Sequence, residues 1–113
     1  MVANKNESIL WAVAPKPHDE EERVDEIIRL GLQDIDAENR FGDFPEIARS
    51  ITGFNIALVS IVTEEKQCFH AVSGDFSTKE TPREVSFCQF SILGDTVFEV
   101  PDTRDDPRFM KNP

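Results

Sequence analysis

The sequence predicts an α+β domain in which an antiparallel sheet is flanked by helices. Three observations support this prediction. Two segments in the first half of the chain carry apolar residues at helical spacing. Two segments rich in β-branched residues follow, and a short polar turn separates them. A short apolar segment closed by glycine and a further strand-like segment complete the order of elements.

The composition indicates one folded domain with an acidic surface. The chain has 113 residues, of which 39% are hydrophobic, and this is enough apolar material for a packed core. Its 22 acidic and 12 basic residues give a net charge of −10, so we expect no nucleic-acid partner and no membrane partner. The sequence has no apolar run of about 18 residues and no signal-peptide pattern, which predicts a cytoplasmic protein.

The N-terminal part divides into an arm and the start of the domain. We predict an extended arm over residues 1–17, because Pro15 and Pro17 break regular structure, and a domain over residues 18–113. The first helix is predicted from Asp19 to about Ile35, with acidic residues in its first turn and Gly31 as a position that weakens or ends it. Its apolar face consists of Val24, Ile27, Ile28, Leu32 and Ile35.

The second helix is predicted from Asp43 to about Thr52 and has the clearest terminal signals. Asp43 is placed to cap it, with Glu46 three residues later in the capping-box arrangement. Pro45 fits the first turn, and Gly53 is a natural C-terminal stop. A stripe at helical spacing is formed by Phe44, Ile47, Ala48 and Ile51.

The second half of the chain predicts three strands. Residues 55–62 and 68–73 are expected to pair as an antiparallel hairpin, followed by a polar loop over residues 76–83. Residues 85–93 are predicted as a helix stopped by Gly94, residues 96–100 as the third strand, and Asp106 as the cap of another short helix. A sheet of three strands has exposed edges, so we expect a truncated domain or one completed by a second copy.

Four stretches of the chain together resemble a GAF domain, of the type found in bacterial sensor histidine kinases and diguanylate cyclases. They are PKPHDEEERVDEIIRLGLQDID, IALVSIVTEEKQCF, ETPREVSFCQFSILGD and VFEVPDTRDDPRFMKNP, which cover nearly all of the chain from Pro15 to Pro113. The resemblance implies a GAF-like antiparallel sheet flanked by helices, of which this chain holds about three of the usual six strands. It departs from the family pattern at Cys68 and His70, where the family usually has a tryptophan and a basic residue.

The resemblance also implies where a ligand binds. In the family, the ligand lies between the sheet and a segment that corresponds to residues 83–109 here. The candidate ligand-binding residues are then Ser86, Cys88 and Gln89, with a loop that contains Asp102, Arg104 and Asp105 closing over them. Arg104 is a candidate to meet an anionic ligand, although Arg104 and Arg108 can also simply pair with the neighbouring aspartates.

The function that we expect is a non-catalytic sensory or regulatory module in signal transduction, with no catalytic residues of its own. Its partners are expected to be a small-molecule ligand, a second copy in a dimer, and an output signalling domain or protein. The cofactor is unknown, since the sequence shows no haem, bilin or metal signature. Two alternatives stay open: a small redox enzyme or sensor that uses Cys68 and Cys88, and an interaction fragment completed by self-association.

Overall fold

The computed structural model describes residues 12–33 and 41–109, and within these ranges it confirms an α+β fold with a three-stranded antiparallel sheet. Three α-helices and one 3₁₀ helix accompany the sheet in these ranges. In chain order the elements are α1 (Glu20–Leu30), α2 (Phe44–Thr52), β1 (Ala57–Val62), β2 (Lys66–Ser73), β3 (Glu80–Pro82), the 3₁₀ helix (Arg83–Val85) and α3 (Cys88–Ser91).

The sheet is built around β2, which lies between β1 and β3. The predicted hairpin of β1 and β2 is confirmed, although β2 begins earlier than expected, at Lys66. The amide of Thr63 donates to the Lys66 carbonyl at 2.7 Å, and the Lys66 amide donates to the Thr63 hydroxyl at 3.2 Å, so the turn is tight. In the described part of the chain, β1 and β3 each pair with β2 alone, and their outer edges are unpaired.

The third strand lies in a different segment from the one that the sequence predicts. Residues 80–82, expected to be loop, pair with β2, where Thr81 is opposite Gln67. Pro82 is tolerated because an edge strand needs hydrogen bonds on one side only. The predicted strand over residues 96–100 is wrong, since this segment is irregular. Strand-like composition is insufficient there because a strand also needs a partner for its backbone groups.

An irregularity in the hairpin decides which residues share a face of the sheet. Val59 pairs with Ala71 but Ser60 pairs with Phe69, which makes His70 an extra residue in β2. Gln67 and Phe69 consequently share a face with Ser60. Cys68 and His70 contact the segment after α1 instead, through the carbonyls of residues 33 and 32 at 3.6 and 3.1 Å.

The first two helices each end at a glycine. Gly31 and Gly53 have φ of 70° and 74°, left-handed values that glycine adopts without strain, and they follow Leu30 and Thr52 directly. The first helix therefore ends before the predicted limit at Ile35, which lies outside the described residues. No described helix has the length and apolar character needed to cross a membrane.

The predicted capping box of α2 is wrong. Asp43 precedes the helix and Pro45 occupies its first turn as expected, but the Asp43 side chain makes no capping hydrogen bond. The backbone of Asp43 is already helical, with φ of −88° and ψ of 0°, whereas a capping side chain reaches the free amides from an extended backbone. The turn over residues 41–43 therefore leads into the helix, and the Phe44 amide donates to the Phe41 carbonyl at 3.1 Å.

The helix predicted over residues 85–93 is reduced to the single turn of α3. Residues 83–85 form the 3₁₀ helix instead, and Gly94 is not left-handed, so it does not act as the expected stop. The predicted helix start at Asp106 is also wrong, because residues 107–109 form a turn. The Asp106 carboxylate accepts a hydrogen bond from the Arg108 amide at 2.9 Å, which stabilises that turn locally.

A cluster of phenylalanines holds α3 against the C-terminal part of the described chain. Phe109 is buried, and its ring centroid lies 4.6 Å from that of Phe87 and 5.2 Å from that of Phe90. The guanidinium of Arg108 lies over the ring of Phe98, 5.0 Å from its centroid. Phe87 and Phe90 thus pack against Phe109, although Phe87 stays 44% exposed.

Candidate ligand-binding site

A cavity of about 410 Å³ lies between one face of the sheet and the segment that leads into α3. All three strands contribute to its wall, and residues 85–88 cover it. Its volume falls in the range of small-molecule sites, roughly 300–1,000 Å³. The lining residues are Leu58, Gln67, Phe69, Phe76, Thr78, Thr81, Val85, Ser86, Phe87 and Cys88.

The polar groups of the cavity are few and uncharged. Among the described residues that line it, none carries a charge. Gln67 is buried and donates through Nε2 to the Ser60 hydroxyl at 2.7 Å. The buried hydroxyl oxygen of Thr81 has no hydrogen-bond partner among the described residues. A buried hydroxyl without a partner costs free energy, so Thr81 is a locally unfavourable point in this wall.

Ser86 and Gln89, both predicted ligand residues, are buried and engaged by the protein. The Gln89 amide nitrogen donates to the carbonyls of Glu84 and Ser86 at 3.0 and 2.8 Å, and its oxygen accepts from the Ala14 amide at 2.9 Å. The Ser86 hydroxyl donates to the Arg83 carbonyl at 2.7 Å. These bonds fix the shape of the segment that covers the cavity and hold residue 14 of the arm against it.

Cys88 is half-buried and lines the cavity, whereas Cys68 is fully buried. The Ser60 hydroxyl lies 3.9 Å from the Cys88 sulfur, which places Cys88 beside the sheet face that carries Ser60 and Gln67. Cys68 contacts the segment after α1 from the opposite face. Neither cysteine is in a disulfide, and their position on opposite faces disfavours a redox mechanism in which they form one disulfide.

Asp102, Arg104 and Asp105 lie in an exposed turn. The Asp102 carboxylate accepts from the Arg104 amide at 2.9 Å and from its guanidinium at 3.0 and 2.9 Å. These hydrogen bonds from Arg104 lower the pKa of Asp102. Arg104 thus pairs with Asp102, which is one of the two roles considered for it from the sequence. Arg108 pairs with Asp106 in the same way at 2.7 Å.

Several residues that line the cavity are missing from the sequence-based set. Gln67 and Phe69 lie on the cavity face only because His70 is an extra residue in β2, a feature that no local pattern indicates. Thr81 lies in a strand that the sequence presents as a polar loop. No cluster of three or more metal-ligating side chains occurs in residues 12–33 and 41–109.

Comparison with known proteins relates the chain to part of a longer protein. No protein-family model matches the chain. A cyclic di-GMP phosphodiesterase of Pseudomonas aeruginosa is 41% identical over 102 residues. The matched region covers 90% of this chain but 17% of that relative. The chain is therefore similar to a small part of a signalling protein.

Proposed function

We propose that this chain is a non-catalytic sensory or regulatory module of the GAF type, working in the cytoplasm as part of a signalling protein. A neutral small molecule binds in the cavity between the sheet and residues 85–88, and its binding alters an output domain or protein. The observation that carries the proposal is the cavity itself, whose lining is mainly apolar and carries no charge.

The signalling context of the proposal comes from the Pseudomonas relative. That protein is named as a cyclic di-GMP phosphodiesterase, and 17% of its length matches this chain. The phosphodiesterase activity is that of the relative as a whole. For the part of it that this chain resembles, we propose a regulatory role. The output controlled by this chain is accordingly proposed to be cyclic di-GMP turnover.

The chemistry of the cavity wall favours a neutral, largely apolar ligand. Phe69, Phe76 and Phe87 supply ring surface, and Gln67 and Thr81 supply groups that can fix an orientation. Cyclic di-GMP itself carries two phosphates, and phosphates are usually held by arginine, lysine or exposed backbone amides. We therefore propose that the ligand of this cavity differs from the substrate named for the relative.

Native mass spectrometry of the purified chain tests this assignment. We expect a fraction of the protein to carry a small-molecule adduct. The variant Thr78→Trp places an indole at the exposed rim of the cavity and should lose the adduct. Thr96→Trp is the matched control, because it introduces the same side chain at an exposed position that does not line the cavity, and it should keep the adduct.

Three outcomes count against the proposal. Equal loss of the adduct in both tryptophan variants, or no adduct in the parent chain, would remove the support for a ligand in this cavity. Tight binding of cyclic di-GMP that Thr78→Trp abolishes would show that the cavity accepts a charged nucleotide, contrary to its neutral wall. Titration of the parent chain with cyclic di-GMP is expected to give no saturable binding.

A further inference from the structure

The helix α2 presents an apolar face that the other described residues, 12–33 and 41–109, do not cover. The side chains of Phe44, Ile47 and Ile51 are 64%, 52% and 80% exposed, and Phe54, just beyond the helix, is 69% exposed. The opposite side of the helix faces the protein, where Pro45 is buried and the Arg49 guanidinium donates to the Ser73 hydroxyl at 3.1 Å. The apolar stripe therefore points away from the sheet.

The exposed apolar area is of the size that an interface needs. The four side chains together expose roughly 450 Å², if large apolar side chains have about 150–200 Å² each. Mutual coverage of this surface on two copies would remove roughly 900 Å² of apolar surface, close to the lower bound of about 1,000 Å² for a specific interface. The polar residues at the border of the stripe add to that area.

The charge distribution favours a second copy as the occupant. The chain carries a net charge of −10, so two copies repel each other except where their contacting surfaces lack charge. At helical spacing the stripe contains Ala48 and is bordered by Ser50 and Thr52, whereas Glu46 and Arg49 lie on the opposite side of the helix. An interface between identical copies must be self-complementary, and an uncharged apolar stripe meets that condition.

The stripe also matches itself in an antiparallel arrangement. With the two-fold axis between positions 47 and 48, Phe44 of one copy lies opposite Ile51 of the other, and Ile47 lies opposite Ala48. Large side chains at the ends then meet large ones, while the small Ala48 allows the helices to approach closely at the centre. We propose that α2 pairs antiparallel with α2 of a second copy through Phe44, Ile47, Ala48 and Ile51, with Phe54 at the edge of the contact. This surface shares no residue with the cavity.

Sedimentation equilibrium over a wide concentration range tests the proposal. The parent chain should form dimers, and Ile51→Glu should weaken dimerisation by at least about tenfold, because it places a carboxylate in an apolar contact. Val97→Glu is the matched control, since Val97 is 94% exposed and the substitution changes the net charge equally. It should dimerise nearly as the parent does, and circular dichroism should show both variants folded.

Three results would overturn the proposal. A parent chain that is monomeric over the whole range excludes the interface, and equal weakening by Ile51→Glu and Val97→Glu assigns the effect to net charge. The third result is a dimer that withstands Ile51→Glu and gains hydrogen-exchange protection at the amides of β1. That dimer would form through the unpaired edge of the sheet instead.

Discussion

Glu20 and Arg83 form a bidentate ion pair that joins the first turn of α1 to the segment after β3. Nη1 and Nη2 of Arg83 lie 2.6 and 3.1 Å from Oε2 and Oε1 of Glu20. Arg83 also donates to the carbonyls of Thr63 and Glu64, each at 3.2 Å, so one guanidinium links α1, the hairpin turn and the start of the segment that covers the cavity. Arg23 adds a second contact to Glu20 at 2.8 Å.

Removing the charge of Glu20 should destabilise the fold. Glu20→Gln leaves the largely buried Arg83 without its anionic partner, and we expect a loss of about 2–4 kcal/mol in the free energy of unfolding. Urea denaturation measures this loss. Glu26→Gln is the control, because Glu26 pairs with Arg29 in an exposed, solvent-screened position and its substitution should change stability little. Equal effects of the two substitutions would contradict the anchoring role of Glu20.

Because of the same ion pair, the stability of the fold should depend on pH in the acidic range. The hydrogen bond from Arg83, followed by that from Arg23, lowers the pKa of Glu20 from 4.5 to about 2, against the opposing effect of burial. The unfolded chain therefore takes up this proton first, and the stabilisation, complete above about pH 5, is lost as the pH falls through about 4.5 towards 2. Thermal unfolding followed over that range should show a shallower loss of stability in Glu20→Gln.

Asp106 should also contribute to the loss of stability at acidic pH, and its substitution can be compared with that of Glu20. Its pKa is also lowered to about 2, first by the side-chain hydrogen bond from Arg108. This pair stabilises a local turn on the surface, so Asp106→Asn should change the acid dependence less than Glu20→Gln does. A larger change in Asp106→Asn would place the dominant acid-sensitive contact in the C-terminal turn.

Gln89 should be required for the shape of the cavity cover. Gln89→Met keeps a side chain of similar size but removes three hydrogen bonds, and we expect a loss of roughly 3 kcal/mol in the free energy of unfolding. Gln33→Met is the control, because the same substitution falls there on an exposed side chain. Urea denaturation of the two variants makes the comparison, and a similar small loss in both would argue against this role.

Gly74 should tolerate no side chain, unlike Gly53. Both have positive φ, but a Cβ at Gly74 would lie 2.4 Å from the Asn55 carbonyl oxygen, whereas one at Gly53 would have no atom within 4 Å. Gly53→Ala should therefore cost about 1 kcal/mol from backbone strain alone. Gly74→Ala should cost clearly more, since backbone atoms must move, and thermal denaturation should rank the two variants in that order.

The sequence predicts those features that depend on neighbouring residues. Gly31 and Gly53 end their helices, and Val59 and Ile61 lie in the first strand of the predicted hairpin, because these outcomes are set by local backbone preferences. The exposed third strand was missed because edge strands need little apolar character. The number of strands was predicted, but the segment that supplies the third was not.

The candidate site was predicted only in outline, because it depends on contacts between distant residues. The segment containing Ser86 and Cys88 borders a cavity, and the binding of a ligand there stays a prediction. Long-range hydrogen bonds decide whether a polar side chain in this segment faces the cavity or is bonded to other residues of the protein. The bond from Ala14 to Gln89 spans 75 residues and the one from Arg83 to Glu20 spans 63, and such pairs have no local signature.

The most direct test of the account is to locate the bound molecule by protein-detected NMR. Small molecules are released by denaturing the purified protein and are then added to a ligand-free sample of the chain. The backbone amide chemical shifts of the chain are followed during this titration. We predict shifts concentrated at the residues of the cavity wall, with Gln67, Phe69, Thr81 and Val85 among the largest. Shifts confined to the grooves along α1, or an absence of shifts at saturating ligand, would contradict the placement of the site between the sheet and residues 85–88.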